Sequence, residues 1–445
     1  MNCDKINLII FEGNRFMLSN EVIRTYEEIL VEELQVAMGC TEPIAIAYAA
    51  AIARDALDGA LPESITVRLS GNIIKNVKSV IVPSTGGMHG IESAVAAGVI
   101  SGRYDLKLEL LSILGEQDIE SIKDFKENNA IILEELESPC NFDLFIKAFA
   151  NGDKVKVRIS DYHTNVVLVS KNGQDITECY RNEKSEMGKS LKKADRSLLN
   201  VKDIVEFAEN ADLTRIKPHL LRQIEMNMAI SAEGLTKDYG ATIGKILYKN
   251  GSAPLKDRIK GSAAAGSDAR MSGCELPVCI ISGSGNQGIT ASVPIAVYAS
   301  ELGIDEETML RALIVSDLVT IHQKTGIGTL SAYCGAISAG VGAGAGICYL
   351  QGGRYREIAH TLVNAVAILS GTICDGAKAS CAAKIAMAVE AGLIGCEMAN
   401  ADKQFYGGDG IVTKGVENTI KNVGLLARDG MSTTDKEIIK IMLKN

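Results

Sequence analysis

The chain has 445 residues, of which 23% are charged and 47% are hydrophobic, and this balance is typical of a folded globular protein. A length of roughly 100 to 200 residues per domain suggests two or three domains. The formal net charge of -9 lacks the lysine and arginine excess that binding to a phosphate backbone requires, so nucleic acid is not an expected partner. The 43 glycines and the 4% of aromatic residues indicate close backbone contacts.

The cysteines favour a reducing compartment. Their number is odd, 11, and they are scattered without the dense framework of a small secreted domain. The apolar run over residues 6–11 is too short and too interrupted to act as the core of a secretory signal. We therefore predict a cytoplasmic protein whose thiols are reduced or bound to metal.

Two long uncharged stretches, residues 276–300 and 325–353, raise the question of a membrane protein. Each exceeds the ~20 residues that a spanning helix needs. However, the second stretch is rich in glycine, and no tryptophan or tyrosine belt flanks either one. We expect buried helices whose small residues let backbones approach closely, and no membrane association. A membrane carrier is the alternative from a different functional class.

The N-terminal part of the chain predicts two helices. Residues 21–38 carry apolar side chains at helical spacing with glutamates largely on the other face, so they predict an amphipathic helix that stops at Gly39. A second, alanine-rich helix begins after Thr41-Glu42-Pro43. This arrangement puts Cys40 in the tight turn between the two helices.

The middle of the chain predicts a small α/β domain. The segments over 65–77, 130–137 and 154–173 are rich in β-forming residues, and the last of them predicts a hairpin. Helices are expected between these segments, over 90–102 and 118–128.

The predicted fold class is α+β. A mostly helical C-terminal domain of small-residue helices forms the larger part, and a smaller α/β domain is inserted after the N-terminal helices. The predicted units are an N-terminal extension (1–20), N-terminal helices that carry GCTEP and pack with the C-terminal domain (21–60), the small α/β domain (61–180), a polar linker (181–200) and the helical domain (201–445).

Four glycine-containing, nearly uncharged segments hold most of the chemically interesting residues. Glycine beside a ligand or polar donor allows a backbone N–H to approach a bound molecule closely. No dinucleotide fingerprint, Walker A, HExxH, GxSxG or C-x2-C zinc motif is present, so nucleotide-binding and hydrolase chemistry lack support. The segments are GCTEP (39–43), SGSGNQG (282–288), HQKTGIGTLSAYCG (322–335) and CDGAKASC (374–381).

Together with SGNIIKN, VPSTGG and AAAGSDARMSG, these segments resemble the cysteine desulfidase family. The C-terminal part of that family is similar to the alpha region of iron-sulfur-dependent L-serine dehydratases. The similarity runs from about Glu21 to the end of the chain. It implies a 4Fe-4S cluster held by Cys40, Cys334 and Cys374, with one iron left for substrate. Cys381, two helical turns after Cys374, is the reserve ligand.

The resemblance implies an oxygen-sensitive lyase that converts L-cysteine to pyruvate, ammonia and sulfide. An iron without a protein ligand is a Lewis acid that makes a thiolate or hydroxyl a better leaving group. Because thiolate is the softer ligand for iron, and because GCTEP in a single chain resembles desulfidases more than dehydratases, L-cysteine is favoured over L-serine. The alternatives are an L-serine dehydratase with the same cluster mechanism and a pyridoxal-phosphate-dependent lyase with Lys324 or Lys378 as its Schiff-base residue.

Elimination also needs a base that removes the Cα proton. The candidates are His322, Lys324 and Lys378, which lie in the segments that carry the predicted cluster ligands, and burial would shift the pKa of a lysine towards the working pH. Glu42 either binds the substrate ammonium or caps a helix.

The predicted substrate site is the glycine-rich turn that begins at Ser282, for which a purely structural turn is the alternative interpretation. Weaker candidates lie in the α/β domain. Asp268, Arg270 and Asp375 are expected to orient the ligands. Homo-oligomer formation stays open. The substrate-binding candidates are Ser282, Gly283, Ser284, Gly285, Asn286 and Gln287, with Asn72, Asn76, Thr85 and Gly86.

Overall fold

The structure is a computed structural model that describes residues 18–38, 41–138, 140, 142–161, 163–181, 194–328 and 331–444. Most of the predicted N-terminal extension (1–20) and linker (181–200) therefore lies outside the described residues.

The helices are α1 (Asn20–Glu33), α2 (Thr41–Ala56), α3 (Gly71–Val77), α4 (Gly90–Ser101), α5 (Glu116–Asn128), α6 (Val201–Asn210), α7 (Lys217–Thr236), α8 (Ile243–Tyr248), α9 (Leu255–Met271), α10 (Gly285–Leu302), α11 (Glu306–Ile327), α12 (Gly335–Leu350), α13 (Tyr355–Leu369), α14 (Cys381–Asn400), α15 (Val416–Leu425) and α16 (Ser432–Lys444). The strands are β1 (Val36–Met38), β2 (Ser64–Leu69), β3 (Ala130–Glu135), β4 (Asp143–Ala150), β5 (Asp153–Ser160), β6 (Val166–Lys171), β7 (Gln174–Asp175) and β8 (Pro277–Cys279).

Two hydrophobic cores organise the fold, and the predicted α+β class is confirmed. The larger core joins α1 to the helices from α6 onwards, and the smaller one joins α2 and α4 to the sheet. The two N-terminal helices, which we expected to pack together with the C-terminal domain, are thus divided between the cores. The reason lies in α2, which is apolar on all sides and is therefore enclosed between the sheet and α4.

The first predicted helix is shorter than expected. It ends at Glu33, and the last residues of the predicted range form β1 instead. Strand β1 pairs antiparallel with β8, with Val36 opposite Cys279, and the Ile280 N–H donates to the Gln35 carbonyl at 2.8 Å. A strand partner more than 200 residues away replaces the helical hydrogen bonds, so the helix prediction over residues 34–38 is wrong.

Among the described residues, β2 to β7 form one sheet with the order β3-β2-β4-β5-β6-β7. Strands β2 and β3 are parallel and the other pairs are antiparallel. The predicted hairpin is present as β5 and β6, and the helices predicted over 90–102 and 118–128 are present as α4 and α5. The β-rich segment over 65–77 is a strand only to Leu69, because the chain turns at Ser70 into the short helix α3.

Helices α12 and α14 lie parallel and in very close contact. A Cβ added at Gly340 would lie 2.4 Å from the Ala388 carbonyl carbon, and one added at Gly344 would lie 2.5 Å from the Gly392 oxygen. Both contacts join residues that are 48 positions apart, which defines a parallel register. The expectation of small-residue helices with close backbones is met here. Within the described ranges, no helix has both the length and the apolar character needed to cross a bilayer.

Replacing Gly344 with alanine tests this contact. Its new methyl group would overlap the Gly392 backbone, so we expect the free energy of unfolding to fall by about 2 to 3 kcal/mol. Gly326→Ala is the matched control, because a Cβ there would meet its nearest neighbour, the Gly424 Cα, at 3.7 Å. Helix propensity alone would then stabilise it by up to about 1 kcal/mol. Urea unfolding measures both, and equal stability of the two variants would contradict the close packing.

Candidate active site

Two predicted cluster ligands are neighbours in the fold. The Cys334 N–H donates to the Thr372 carbonyl at 2.9 Å, and the Cys374 N–H donates to the Ala332 carbonyl at 2.6 Å. These hydrogen bonds form a short antiparallel bridge between the segments that precede α12 and α14. The bridge brings the two side chains together, and each of the two thiols shifts the pKa of the other.

Cys381 completes a group that we call the thiol site: Cys334, Cys374 and Cys381. It is the first residue of α14, its sulfur lies 3.5 Å from the Gly376 carbonyl oxygen, and it interacts electrostatically with both other thiols. All three thiols are free. Cys40, the remaining predicted ligand, lies outside the described residues. Across the described ranges, no three His, Cys, Asp or Glu side chains meet the geometry expected of a bound metal ion.

The surroundings of the thiol site favour a thiolate at Cys374. The Cys334 thiol lowers the pKa of Cys374 and outweighs burial, with further lowering from Lys75, the Gly376 N–H and Lys384. In turn, Cys374 raises the pKa of Cys334, as does burial. Cys334 is also the N-cap residue of α12, and the nearby Ala336 N–H lowers the pKa of its thiol. The surrounding cations and the Gly376 N–H therefore favour the thiolate form of Cys374.

Lys324 reaches the thiol site from the last turn of α11. This residue is only 7% exposed. Burial, helped by the nearby charge of Lys75, lowers the pKa of its amine, and this outweighs the opposite effect of Cys374 and Cys334. No described residue forms a hydrogen bond or ion pair with the Lys324 amine. Of the predicted bases, it is thus a buried amine beside the thiols that is not committed to a carboxylate.

The other two predicted bases are held by carboxylates. Lys378 forms an ion pair with Asp375, whose carboxylate also accepts a hydrogen bond from Lys384 at 2.6 Å. The His322 Nε2 atom lies 2.7 Å from a carboxylate oxygen of Glu417 on α15. Lys378 and His322 therefore each have a structural partner. Asp375 lies next to Cys374 in the chain, which fits its predicted role in orienting the ligands.

The glycine-rich turn reaches the thiol site through Gln287. Gly283 has a positive φ of 75°, and the Ser284 hydroxyl caps α10 by accepting from the Gln287 N–H at 3.4 Å. A Cβ added at Gly335, the residue after Cys334, would lie 2.6 Å from the Gln287 side-chain nitrogen. The Gln287 Oε1 atom is buried and has no hydrogen-bond partner in the part of the chain that the structure describes. It is an acceptor available for a ligand.

The remaining residues of this turn contact protein groups. The Ser282 N–H donates to the Glu33 carboxylate at 2.9 Å, and the Asn286 side-chain oxygen accepts from Arg270 at 3.3 Å. Gly285 leaves room for the Arg270 guanidinium, since a Cβ there would lie 2.4 Å from the Arg270 Nε atom. Part of this turn therefore has a structural role, which agrees with the alternative interpretation of a purely structural turn. Gln287 is the residue of the turn that lies near Cys334.

The substrate-binding candidates in the smaller core also include residues that contact other protein groups. The Asn76 side chain donates to the Glu42 carboxylate at 3.2 Å, which joins α3 to the start of α2, and half-buried Asn72 lies in the first turn of α3. The Thr85 hydroxyl donates to the Val82 carbonyl at 2.7 Å, so this side chain stabilises its own turn. Gly86 follows in the same turn with a φ of 67°.

Sequence reasoning missed two residues of the site. Lys75 on α3 is 1% exposed, pairs with Asp435 on α16 and interacts electrostatically with Cys374, so it brings the smaller core to the thiol site. The sequence did contain a signal for it, because Lys75 lies in the SGNIIKN motif together with the two candidate asparagines. The Tyr333 hydroxyl, beside Cys334 in the chain, is buried and lacks a hydrogen-bond partner among the described residues.

Comparisons with known proteins agree with the motif analysis. Residues 105–440 match the serine dehydratase alpha chain family. A UPF0597 protein of Desulfitobacterium hafniense is 54% identical over 420 residues, which cover 94% of this chain and 96% of that protein. UPF0597 proteins of Finegoldia magna and Treponema denticola are 46% and 45% identical, over 95% and 94% of this chain and 100% and 98% of their own lengths.

Replacing Glu417 with glutamine tests whether His322 has a structural partner. Burial raises the pKa of Glu417, but hydrogen bonds from His322 and the Val201 N–H outweigh it and hold this pKa below its usual 4.5. Such a carboxylate stabilises the fold above pH 4.5, and the stabilisation is lost as pH falls through the lower, folded-state pKa. Because the Glu417 side chain is 44% exposed, we expect Glu417→Gln to cost only about 1 kcal/mol at pH 7.

The loss should shrink when unfolding is measured at acidic pH. Glu437→Gln is the control, since Glu437 pairs with Lys440 at the surface and its side chain is 63% exposed. A loss in Glu417→Gln that is the same at every pH, or equal to that of the control, would contradict the role of the His322 pair.

Proposed function

The chain belongs to the serine dehydratase alpha chain family, and we propose that it is an iron-sulfur-dependent lyase that eliminates sulfide from L-cysteine, giving pyruvate and ammonia. The observation that carries the proposal is the backbone bridge between the segments of Cys334 and Cys374, which places both thiols together beside the buried Lys75 and Lys324 side chains. Thiolate is the form that binds iron, and nearby cations favour it. L-serine is the second candidate substrate, because the family is named for serine dehydration.

The chemistry of the donor set fits a 4Fe-4S cluster. Cys334 and Cys374 would hold it, with Cys40 as the third ligand and Cys381 in reserve. Backbone N–H groups that point at the sulfurs are typical of such sites, and here they come from Gly376 and from the start of α12. When bound, the cluster would supply a Lewis-acidic iron that makes hydrosulfide a better leaving group.

The protein's own residues would supply the proton transfer and the substrate contacts. The Lys324 amine would take the Cα proton, since it is buried, lies beside the thiols and is not paired with a described carboxylate. The unpartnered Gln287 Oε1 atom would accept a hydrogen bond from the substrate ammonium, a role that Glu42 shares as a candidate. Lys75, held in place by Asp435, would offset the negative charge of the substrate carboxylate and the thiolates.

These roles account for the atoms of the reaction. Removal of the Cα proton and cleavage of the Cβ–S bond give hydrosulfide and 2-aminoacrylate. The enamine takes up a proton to form the imine, and water then hydrolyses it to pyruvate and ammonia. Burial lowers the pKa of the Lys324 amine, which favours the neutral form that a base requires.

Anaerobic reconstitution of the full chain with iron and sulfide tests the function. We expect about four irons per chain, release of pyruvate and sulfide from L-cysteine, and a kcat/KM at least about tenfold higher for L-cysteine than for L-serine. Cys374→Ser should lose iron and activity together. Cys274→Ser, which removes a buried thiol of the larger core, is the control and should keep both. A wild-type protein that binds no iron would refute the cluster, and a preference for L-serine would refute the choice of substrate.

Lys324→Met tests the assigned base. We expect kcat to fall by about 10² to 10⁴-fold, with iron content unchanged, because the Cα proton loses its acceptor. Lys378→Met is the matched comparison and should stay within about tenfold of the wild type, because Lys378 is already paired with Asp375. Exchange of the Cα proton of L-cysteine with solvent deuterium should disappear in Lys324→Met only. The reverse pattern would give the role of base to Lys378.

A further inference from the structure

A second pair of cysteines lies on the same two helices as the thiol site. Cys348 is near the end of α12 and Cys396 is in the last third of α14. Both side chains are buried, both thiols are free, and each shifts the pKa of the other. This pair is distinct from the thiol site, which lies at the opposite ends of the two helices.

The register of the two helices places the two cysteines at matching positions. Gly340 contacts Ala388, and one turn later Gly344 contacts Gly392, each pair being 48 residues apart. Cys348 and Cys396 keep the same separation and follow one turn further along. The glycine contacts bring the backbones close together immediately before the cysteines, which is the proximity that a disulfide between adjacent helices requires.

We propose that Cys348 and Cys396 are a redox-active dithiol, which a hydroperoxide oxidises to a disulfide that joins α12 to α14. Two amide side chains lie beside the Cys396 sulfur. The Cys396 sulfur lies 3.3 Å from the Gln351 Oε1 atom and 3.8 Å from the Asn400 Nδ2 atom. Gln351 and Asn400 are exposed and hydrogen-bonded to each other, so movement of their side chains would admit a small peroxide.

The two thiols have different roles in the reaction. The Cys396 thiol lowers the pKa of Cys348 and outweighs burial, with help from the Thr361 hydroxyl, whereas Cys348 raises the pKa of Cys396. The Cys396 S–H donates to the Gln351 Oε1 atom, which holds the proton on Cys396, so Cys348 is the nucleophile. Its thiolate attacks the peroxide, forming a sulfenic acid and releasing an alcohol, or water when the oxidant is hydrogen peroxide.

Cys396 then closes the disulfide. Its thiolate attacks the sulfenic sulfur, the S–S bond forms and hydroxide leaves as water. Overall, two thiols lose two electrons and two protons, and the peroxide is reduced to one alcohol and one water. The new bond closes a long loop that includes α13, so it would restrict the unfolded chain and stabilise the oxidised protein.

The test uses the full-length wild-type chain, treated anaerobically with about one equivalent of hydrogen peroxide per thiol pair. The remaining thiols are alkylated in denaturant, and peptides are analysed by mass spectrometry without reduction. We expect a linked peptide pair, with fragment ions that place the bond at Cys348 and Cys396, and a midpoint of thermal unfolding that rises by a few degrees. Reduction with dithiothreitol should reverse both changes.

Three variants make the assignment specific. Cys348→Ser should yield no linked pair, whereas Cys396→Ser should accumulate a sulfenic acid at Cys348 that dimedone traps. Cys274→Ser, the control, should form the linked pair like the wild type. The proposal would be overturned if wild-type Cys348 and Cys396 both stay alkylatable while other cysteines are oxidised, or if they end as separate sulfinic acids. The measurement on the wild-type chain does not depend on whether any variant folds.

Discussion

The close parallel contact of α12 and α14 is the constraint on which the rest of the site depends. Glycines at the contact let the two backbones touch, so the axial positions of the helices are fixed to within a fraction of a turn. Because the helices are parallel, their first turns lie at the same end, and there Cys334 and Cys381 meet the loop that carries Cys374. A looser helix pair would not hold three sulfurs in one place.

Interactions between opposite charges also stabilise the thiol site. Thiolates and lysines are both costly to bury alone, and in this site each offsets the cost of the other. Lys324 and Lys75 enter from different elements, α11 and α3, and both interact with Cys374. The site therefore forms where the two hydrophobic cores meet, with the sulfur ligands on one side and part of the positive charge supplied from the other.

The sequence predicted the parts of the molecule that depend on local patterns. The alternation in β5 and β6, the helices α4 and α5, and the small-residue character of α12 are all encoded by neighbouring residues. The motifs also indicated that the segments of Cys334 and Cys374 belong together. What could not be predicted depends on distant partners: β1 exists because β8 pairs with it, and Lys75 acts at the site because α3 follows β2.

The same limit applies to single cysteines. An isolated cysteine is ordinarily a small buried hydrophobic residue, and no motif around Cys348 or Cys396 indicates another role. Only the register of α12 on α14 pairs them, and a register between helices cannot be inferred from one sequence without knowing which helices touch.

The pairing of Lys75 with Asp435 has a consequence for biosynthesis. Lys75 leaves the ribosome early and Asp435 very late, so for most of translation the lysine has no access to its carboxylate. A nascent chain would have to keep α3 hydrated or loosely docked until α16 emerges. The docking of α3 beside the thiol site is thereby completed only at the final stage of synthesis, and any metal bound there would have time to enter before it.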